Sequence, residues 1–391
     1  MKRNYSLIAV VLLAGLLTSC GSETALEEDS GLAATLELTL QGSSGTTASA
    51  VAARSQGTLP SGTGTIGESE GTVNRITVGV FKTGGATDVI SETTTLTSDY
   101  KLSVNATEGN REIIVVANAP AGYFSGITTK TAFLARAVSL DVTTPDDLGE
   151  ADQLTNDLPM SGQATTLSGG TVTTIPLAQG TTVSAYVALT RLVSRVSISR
   201  VSYAFTSGGL YPNATFTPTE VFLYNAKTKS TWDVGTTAPT TTVPGQGESS
   251  TSAGSSDYHV YLGETVSDFT NGSNFTSPYY FYTFANAETS SPTKLIIKGT
   301  FDTDGDGVIE TADGDGTVYY PIVINKSQAG TTLTGGSGDA TIDRNKTYAL
   351  TATIKGKGVS TTSQDIEPAD VSLTVSVEAW AVDITQNVTF E

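Results

Sequence analysis

The residues best suited to bind an ion form an acidic run between two apolar segments. Carboxylates and a glycine recur in the order Asp302, Asp304, Asp306, Gly307 and Asp313. Oxygen ligands at positions 1, 3, 5 and 12, with glycine at position 6, are typical of a calcium-binding loop. Asp313 stands where a bidentate glutamate is usual, and the flanks are predicted strands rather than helices, so an acidic, solvated hairpin tip is the alternative. Calcium is therefore a candidate cofactor, and we expect no other.

Side chains suited to catalysis are scarce. The 391 residues include one histidine, His259, and one cysteine, Cys20. A Ser-His triad would have to use His259, and no recognisable nucleophile motif surrounds a serine. Paired carboxylates of the glycoside-hydrolase kind stay open as an alternative because Asp and Glu are plentiful. The favoured interpretation is a protein that is not an enzyme.

The charge of the chain limits the classes of partner that it can bind. Lys and Arg number 21 against 39 Asp and Glu, which gives a net charge of −18 and an isoelectric point near 4.4. Nucleic-acid binding requires clustered basic residues, so we expect no nucleic-acid partner. A single cysteine cannot form an intrachain disulfide, so stability must come from packed cores.

The N-terminal segment has the layout of an export signal. Lys2 and Arg3 precede an apolar stretch, Leu7–Leu17, that is too short to span a bilayer. The four residues that end at Cys20 resemble the lipobox of bacterial lipoprotein signal peptides. This resemblance implies that residues 1–19 are a signal peptide and that Cys20 carries acyl chains, which tether the exported precursor to a membrane.

A period-two alternation predicts the first strand. Four leucines fall on one face of it, namely Leu32, Leu36, Leu38 and Leu40. Polar residues alternate with them, as in a half-buried strand. The stretch from Gly42 to Gly71 is rich in Gly, Ser and Thr, and Arg54 is its only basic residue. Connections in compact domains have a median length of about 4–6 residues, so either this linker is disordered or the strand is built to be separated from the body.

Short β-branched segments with Gly, Pro, Asn and Asp turns continue along the chain. The expected strands include Arg75–Phe81, Tyr100–Val104, Glu112–Ala117, Thr182–Leu189, Arg191–Ile198, Tyr279–Phe284, Leu295–Phe301, Val318–Ile324, Tyr348–Ile354 and Ser372–Ala379. This pattern predicts an all-β fold of two β-sandwich domains with Greek-key topology, of the transthyretin or immunoglobulin kind, and few short helices.

Several stretches, taken together and in this order, resemble the fimbrillins, the major fimbrial subunits of type V pili. The stretches are Ile113–Pro120, Leu158–Gly162, Arg191–Ile198, Val221–Asn225, Arg344–Leu350 and Glu378–Phe390. The resemblance implies a homopolymer of identical subunits, joined by other fimbrial subunits, in a cell-surface fimbrium that supports adhesion. It also implies a lipidated precursor at the outer membrane that is cut by a surface Arg-specific protease.

On this resemblance, the protease cuts between Arg54 and Ser55, the first strand leaves, and a donor strand from the next subunit fills the exposed groove. The expected division is then a signal peptide at 1–19 and a lipidated propeptide with the leaving strand at 20–54. An N-terminal sandwich at 55–189 and a C-terminal sandwich at 190–391 follow.

The last ten residues are the favoured donor strand. Their alternating apolar residues are Val382, Ile384, Val388 and Phe390. A second alternating segment, 371–379, is interpreted as a strand within the C-terminal domain, and a strand of that domain is also the alternative for the last ten residues. The alternative function is a surface lipoprotein that binds glycans or proteins without polymerising, or a fimbrial tip or anchor subunit.

Overall fold

The computed structural model of the protein describes residues 31–42, 61–63, 70–95, 100–139, 158–234, 243–244, 263–361 and 370–379. A short helix, α1 (Lys130–Leu134), lies between the sixth and seventh strands. In chain order the strands are β1 (Ala33–Gly42), β2 (Ser61–Thr63), β3 (Ile76–Lys82), β4 (Thr87–Thr93), β5 (Lys101–Thr107), β6 (Gly109–Ala117), β7 (Ala137–Ser139), β8 (Met160–Thr165), β9 (Thr174–Leu177), β10 (Thr182–Arg191), β11 (Val193–Tyr203), β12 (Thr215–Tyr224), β13 (Lys227–Thr231), β14 (Val243–Pro244), β15 (Gly263–Thr265), β16 (Tyr279–Phe284), β17 (Lys294–Asp302), β18 (Gly316–Val323), β19 (Thr331–Thr334), β20 (Lys346–Ile354) and β21 (Val371–Ala379).

Eight strands form the N-terminal sheet, in the order β4-β3-β6-β8-β10-β1-β5, with β9 paired to β6. Successive side chains of a strand point to opposite faces, so alternating apolar residues collect on one face of this sheet. Leu38 of β1, Val78 of β3, Val115 of β6 and Val187 of β10 belong to one apolar core, and each is almost completely buried. β1 is thus an interior strand of a sheet built mostly from residues far along the chain.

Two further sheets lie in the C-terminal half. The large C-terminal sheet has the order β14-β13-β16-β11-β20-β21-β19, and the small one has the order β15-β12-β17-β18. Ile198, Leu350, Val221 and Ile297 come from both sheets and share one buried core. This is the packing expected of a sandwich, in which inward side chains of two sheets interdigitate. The predicted all-β fold is confirmed, and the C-terminal half has the predicted sandwich packing.

The two halves are joined by short strands as well as by the chain itself. β2 pairs with β16 and β7 pairs with β13, so segments of the first half extend the large C-terminal sheet. Close by, Phe124 stacks on Phe133 of α1 with ring centroids 4.0 Å apart and meets Trp232 edge-on at 6.0 Å. β10 ends at Arg191 and β11 begins at Val193, a change of sheet that supports the domain boundary we propose near residue 190.

The acidic run lies where the alternation predicted, at the tip of the hairpin formed by β17 and β18. Among the described helices, none combines the length and the apolar character needed to cross a membrane.

Candidate functional site

The feature that bears most directly on function is the slot that β1 fills, called here the β1 groove and walled by β5 and β10. Residues 35–42 of β1 pair in parallel with residues 182–189 of β10. Residues 33–39 pair antiparallel with residues 101–107 of β5. Both edges of β1 are therefore hydrogen-bonded, and its removal would leave two unpaired strand edges.

The floor of the β1 groove is apolar. Leu36, Leu38 and Leu40 are 0 % exposed and Ala34 is 3 % exposed. Full burial of a leucine contributes about 1.5–3 kcal/mol, so the three together contribute about 5–9 kcal/mol. That is of the same order as the whole stability of a typical domain, about 5–15 kcal/mol. A sheet that lost β1 would be strongly driven to accept another apolar strand.

Leu32, which was predicted on the same face, does not join it. The residue precedes β1 and its side chain is 42 % exposed. The last residue of β5, Thr107, already pairs with Ala33, so the wall of the groove ends before Leu32. The Leu32 carbonyl instead accepts the N–H of Glu108 at 2.8 Å. The prediction is wrong for Leu32 because the pairing of β1 with β5 begins at Ala33, one residue after the alternating pattern begins in the sequence.

The two walls of the β1 groove differ in how many other strands they pair with. β10 also pairs with β8 on its far side, whereas β1 is the strand neighbour of β5 in the described part of the chain. The C-terminal end of β5 is held by a side chain of β4. Asp88 accepts the backbone N–H of Thr107 at 2.9 Å and its hydroxyl at 2.8 Å, and pairs with Arg111 at 3.0 Å.

Asp88 and Arg111 form a buried ion pair, with side chains 5 % and 3 % exposed. Burial alone would raise the pKa of the Asp88 carboxyl. The hydrogen bonds from Thr107, and then the contact with Arg111, outweigh burial and hold the pKa below its ordinary value. The carboxylate is therefore charged at neutral pH and fixes the end of β5 to β4 and β6.

A second buried cluster fixes the chain just after the linker. Glu70 is 2 % exposed; its carboxylate accepts the Tyr282 hydroxyl at 2.5 Å and pairs with Arg195 at 2.5 Å. Its carbonyl accepts Nε of Arg191 at 3.0 Å. Burial, and then the charge of Glu70, raises the pKa of Tyr282 well above its ordinary value, so the phenol stays a donor.

The sequence placed Arg191 and Arg195 on one strand, but they lie on β10 and β11 because the chain changes sheet at Leu192. Both nevertheless converge on Glu70.

A third contact set joins the halves through Arg344. Its guanidinium donates to the carbonyls of Arg191 at 3.2 Å, Asp233 at 2.7 Å and Thr190 at 3.1 Å. It also donates to the Ser161 hydroxyl at 3.2 Å. Burial lowers the pKa of Arg344 to about 10, which still leaves it charged at neutral pH. A single side chain thus bonds β8, β10 and the segment after β13.

The acidic run gathers three of its four predicted ligands. Carboxylate oxygens of Asp302, Asp304 and Asp306 lie within 4.8 Å of one another. Asp302 accepts the N–H groups of Gly305 at 2.7 Å and Gly307 at 2.9 Å. These bonds hold the turn by themselves, as Asx turns do. The calcium assignment therefore stays a prediction.

Asp313 does not belong to that group; it ends an exposed 3-10 turn at Thr311–Asp313. Asp315, which the sequence pattern did not indicate, closes the loop instead. It accepts the N–H of Thr303 at 2.8 Å and of Glu310 at 3.0 Å. The N–H groups of Glu310 and Thr303 lower the pKa of Asp315. The assignment of Asp313 as a ligand is wrong in this loop because the 3-10 turn carries it away from the three aspartates.

The remaining predicted site residues lie outside the described residues. They are the lipidation site Cys20, the cleavage pair Arg54 and Ser55, and the donor residues Val382, Ile384, Val388 and Phe390. The other alternating segment, β21, is described: it lies between β20 and β19 in the large C-terminal sheet.

Sequence reasoning missed the roles of Glu70, Asp88 and Arg111. Nothing in the local sequence marks Glu70 or Asp88, and all three residues find their partners through contacts between distant parts of the chain. The one available signal was a charged pair, Arg111 and Glu112, next to the β-branched residues Ile113 and Ile114.

Comparison with known proteins agrees with this architecture. Residues 34–198 match the family model described as major fimbrial subunit protein (FimA). Residues 249–380 match the model described as FimA4 pilin C-terminal domain. The first match begins inside β1, so the family pattern includes the strand that fills the groove.

Individual relatives extend the comparison. The major fimbrium subunit FimA type-4 of Porphyromonas gingivalis is 35 % identical over 106 residues, a match that spans 23 % of this chain and 27 % of that protein. The solved fimbrilin of P. gingivalis W83 superposes with a TM-score of 0.60 at 19 % identity, covering 91 % of this chain and 98 % of that one. A Bacteroides eggerthii protein described as a cell adhesion protein superposes with a TM-score of 0.60 at 22 % identity, covering 92 % and 98 %. The chain therefore belongs to the fimbrillin family of fimbrial subunit proteins.

Proposed function

We propose that this protein is a shaft subunit of a cell-surface fimbrium, polymerised by protease-triggered donor-strand exchange. It is exported as a lipoprotein precursor with acyl chains on Cys20 and is tethered to the outer membrane until cleavage after Arg54. The released subunit joins identical subunits and other fimbrial proteins. The observation that carries the proposal is the β1 groove, in which an N-terminal strand fills an interior position of the sheet.

The position of β1 supports removal of this strand rather than any other. Eighteen residues, 43–60, separate it from the short β2, so no tight turn ties the C-terminal end of β1 to a neighbouring strand of its sheet. Parallel pairing with β10 is slightly less stable per residue than antiparallel pairing. An incoming strand can restore the main-chain bonds and refill the pockets of Leu36, Leu38 and Leu40, which is the general mode of strand addition.

The Glu70 cluster supports a cut upstream of it. Glu70 bonds to Arg195 and Tyr282 of the large C-terminal sheet, and β2 pairs with β16. A cut after Arg54 would release β1 while these contacts hold the new N-terminal segment on the body. The subunit would lose one strand and keep the rest of its fold.

The donor strand is assigned to residues 382–391 of a neighbouring subunit. β21 already bonds on both edges inside its own sheet, so using it as a donor would open a second sheet. The last ten residues carry the alternating apolar side chains that three leucine pockets require.

The cleavage step is tested with a charge-preserving substitution. Purified lipid-free precursor is incubated with an Arg-specific protease, and Arg54→Lys is treated in parallel. We expect one early cut and SDS-resistant ladders from the unsubstituted protein, and an uncut monomer from Arg54→Lys. Trypsin, which also cuts after lysine, should restore both cleavage and ladders to Arg54→Lys.

Two results would refute the proposal. One is ladder formation by Arg54→Lys under the Arg-specific protease, and the other is a cleaved unsubstituted subunit that stays monomeric. The second result would favour an uncleaved adhesin, or a tip or anchor subunit, over a shaft subunit.

A further inference from the structure

A cleft of about 690 Å³ lies on the outer face of the N-terminal sheet, at the junction with the C-terminal half. Its floor includes Gln163 of β8 and Tyr186 of β10, and its far wall is the segment from Asp343 to Lys346. The volume is in the range of small-molecule sites, about 300–1,000 Å³. The cleft is on the opposite face of the sheet from the leucines of the β1 groove, so it is a separate feature.

The cleft is built from fixed elements. The loop after β8 is closed by hydrogen bonds from Thr166 N–H to the Val172 carbonyl at 3.1 Å and from Gly170 N–H to the Leu167 carbonyl at 2.9 Å. Ser168 of this loop donates to Gln41 of β1 at 3.1 Å. The opposite wall is held by the four hydrogen bonds of Arg344 described above. A site walled in this way is largely formed before a ligand arrives.

The lining combines apolar surface with several amides and hydroxyls. Hydroxyls come from four threonines, Thr165, Thr171, Thr173 and Thr190. Amides come from Gln41, Gln163 and Asn345. The Asn345 Oδ1 atom is buried and accepts no hydrogen bond from the described residues. A buried acceptor of this kind is costly unless a donor reaches it.

The charges in the cleft favour a neutral ligand. Asp343, Arg344 and Lys346 line it. The Arg344 guanidinium already donates to protein carbonyls and to the Ser161 hydroxyl, and the charges of Lys346 and Asp343 oppose each other locally. The chain as a whole carries −18, which repels anions at long range. A ligand with many hydroxyl groups and no charge can accept from Lys346 and bond in both directions with the threonines.

We infer that this cleft binds a short neutral oligosaccharide. The ring of Tyr186 offers an aromatic surface with a polar tip beside the amides, which suits the mixed faces of a sugar. Gln41 belongs to β1, so the cleft abuts the strand that the proposed assembly mechanism replaces. The binding itself does not require assembly, and it is present in the precursor.

The test is saturation-transfer NMR on the full-length, lipid-free precursor. The probes are two neutral sugars, maltotriose and triacetylchitotriose, and one acidic sugar, 6′-sialyllactose. We expect transfer to at least one neutral probe, and at least tenfold weaker binding by Gln163→Ala and Lys346→Ala. Gln328→Ala and Lys326→Ala lie outside the cleft and are the matched controls, which should bind as the unsubstituted protein does.

Thermal unfolding of every variant is measured so that a misfolded protein is not mistaken for a lost contact. A variant that fails to fold is replaced by Thr173→Val, which removes one hydroxyl from the lining of the cleft. Transfer to no neutral probe, transfer to sialyllactose alone, or binding unchanged by the cleft variants would each overturn the inference. Fibre assembly is followed separately. Failure of the unsubstituted protein to assemble would refute the proposed function. It would not affect the test of saccharide binding, which is measured on the precursor.

Discussion

Leu38 is fully buried in the described structure, yet it lies on a segment that the proposed mechanism discards. The contribution of Leu38 to stability should therefore differ between the precursor and the assembled fibre. Residues on the walls of the β1 groove face the same core but remain in the assembled fibre. Substitutions in β1 and in the walls of the groove can therefore distinguish a strand that is exchanged from a strand that is retained.

We predict that Leu38→Ala lowers the free energy of unfolding of the precursor by about 2–5 kcal/mol, the usual cost of a buried Leu→Ala change. The same substitution should leave the stability of assembled fibres unchanged, because β1 is no longer present. Leu189→Ala on β10, also 0 % exposed, is the matched control and should destabilise both states. Chemical unfolding of the precursor and of the fibre measures the two stabilities. A fibre destabilised by Leu38→Ala would contradict strand exchange.

The Asp88–Arg111 pair predicts a pH dependence. The pKa of Asp88 is lowered in the folded protein. Its contribution to the free energy of unfolding is therefore fully present above the pKa of an unfolded Asp, about 3.9. It should be lost as pH falls below that value and through the folded pKa. Asp88→Asn should remove this part of the acid dependence. At pH 7 it should also lower the free energy of unfolding by about 3–5 kcal/mol, because Arg111 stays buried without its partner.

Urea unfolding between pH 2 and pH 7 checks this prediction. Asp304→Asn, an exposed aspartate of the acidic hairpin, is the control and should change the profile little. Identical acid profiles for the unsubstituted protein and Asp88→Asn would contradict the assigned role.

At the scale of elements, β5 depends on β1 more than β10 does. β10 keeps its pairing with β8 when β1 opens, whereas β5 keeps only its end, held by Asp88. We predict that amide hydrogen exchange of β1 and β5 rises together in precursor carrying Leu38→Ala, while β10 remains protected. Native-state exchange measured by mass spectrometry tests this, since cooperative units open together. Exchange of β1 while β5 stays protected would show that β5 has other support.

Elements with strong alternation were predictable from sequence, and those without it were not. β1 follows from its period of two, whereas β16 and the hairpin of β17 and β18 follow from runs of aromatic or β-branched residues. β8 was missed as a strand because Met160, Ser161 and Gly162 have little intrinsic strand preference. It forms because β6 and β10 pair with it on both sides, an example of tertiary context that overrides propensity.

The candidate site shows the same division. The leucine face of β1 was readable from its period of two, but its position between β5 and β10 was not. The partners of β1 are 60 to 150 residues away, and nothing in the local pattern selects one strand edge over another. The charged clusters of Glu70 and Asp88 are likewise created by the fold. In the acidic loop, Asp313 ends a 3-10 turn and Asp315 instead accepts the backbone N–H groups of Thr303 and Glu310, an arrangement that the spacing of the aspartates did not indicate.

At the scale of the whole molecule, the proposed mechanism requires the N-terminal sheet to release one strand while the C-terminal sandwich keeps all of its strands. We predict that deleting residues 382–391 gives a precursor that folds, is cleaved after Arg54 and stays monomeric. The physical reason is that such a subunit has a β1 groove to be filled but no strand to give. Size-exclusion chromatography after cleavage measures the outcome, with unsubstituted protein as the control.

A mixing experiment sharpens that prediction. A truncated subunit still presents its own groove, so it should cap growing fibres and shorten them in proportion to its share of the mixture. Fibres of normal length at every ratio would contradict the assignment of the donor strand.

The most direct measurement is a cryo-EM reconstruction of the assembled fibre at a resolution that identifies side chains between β5 and β10. We predict a strand in that position that continues into the C-terminal residues of the adjacent subunit, with Val382, Ile384, Val388 or Phe390 in the places of Leu36, Leu38 and Leu40. Density for residues 33–42 of the same subunit in the assembled fibre would contradict the account.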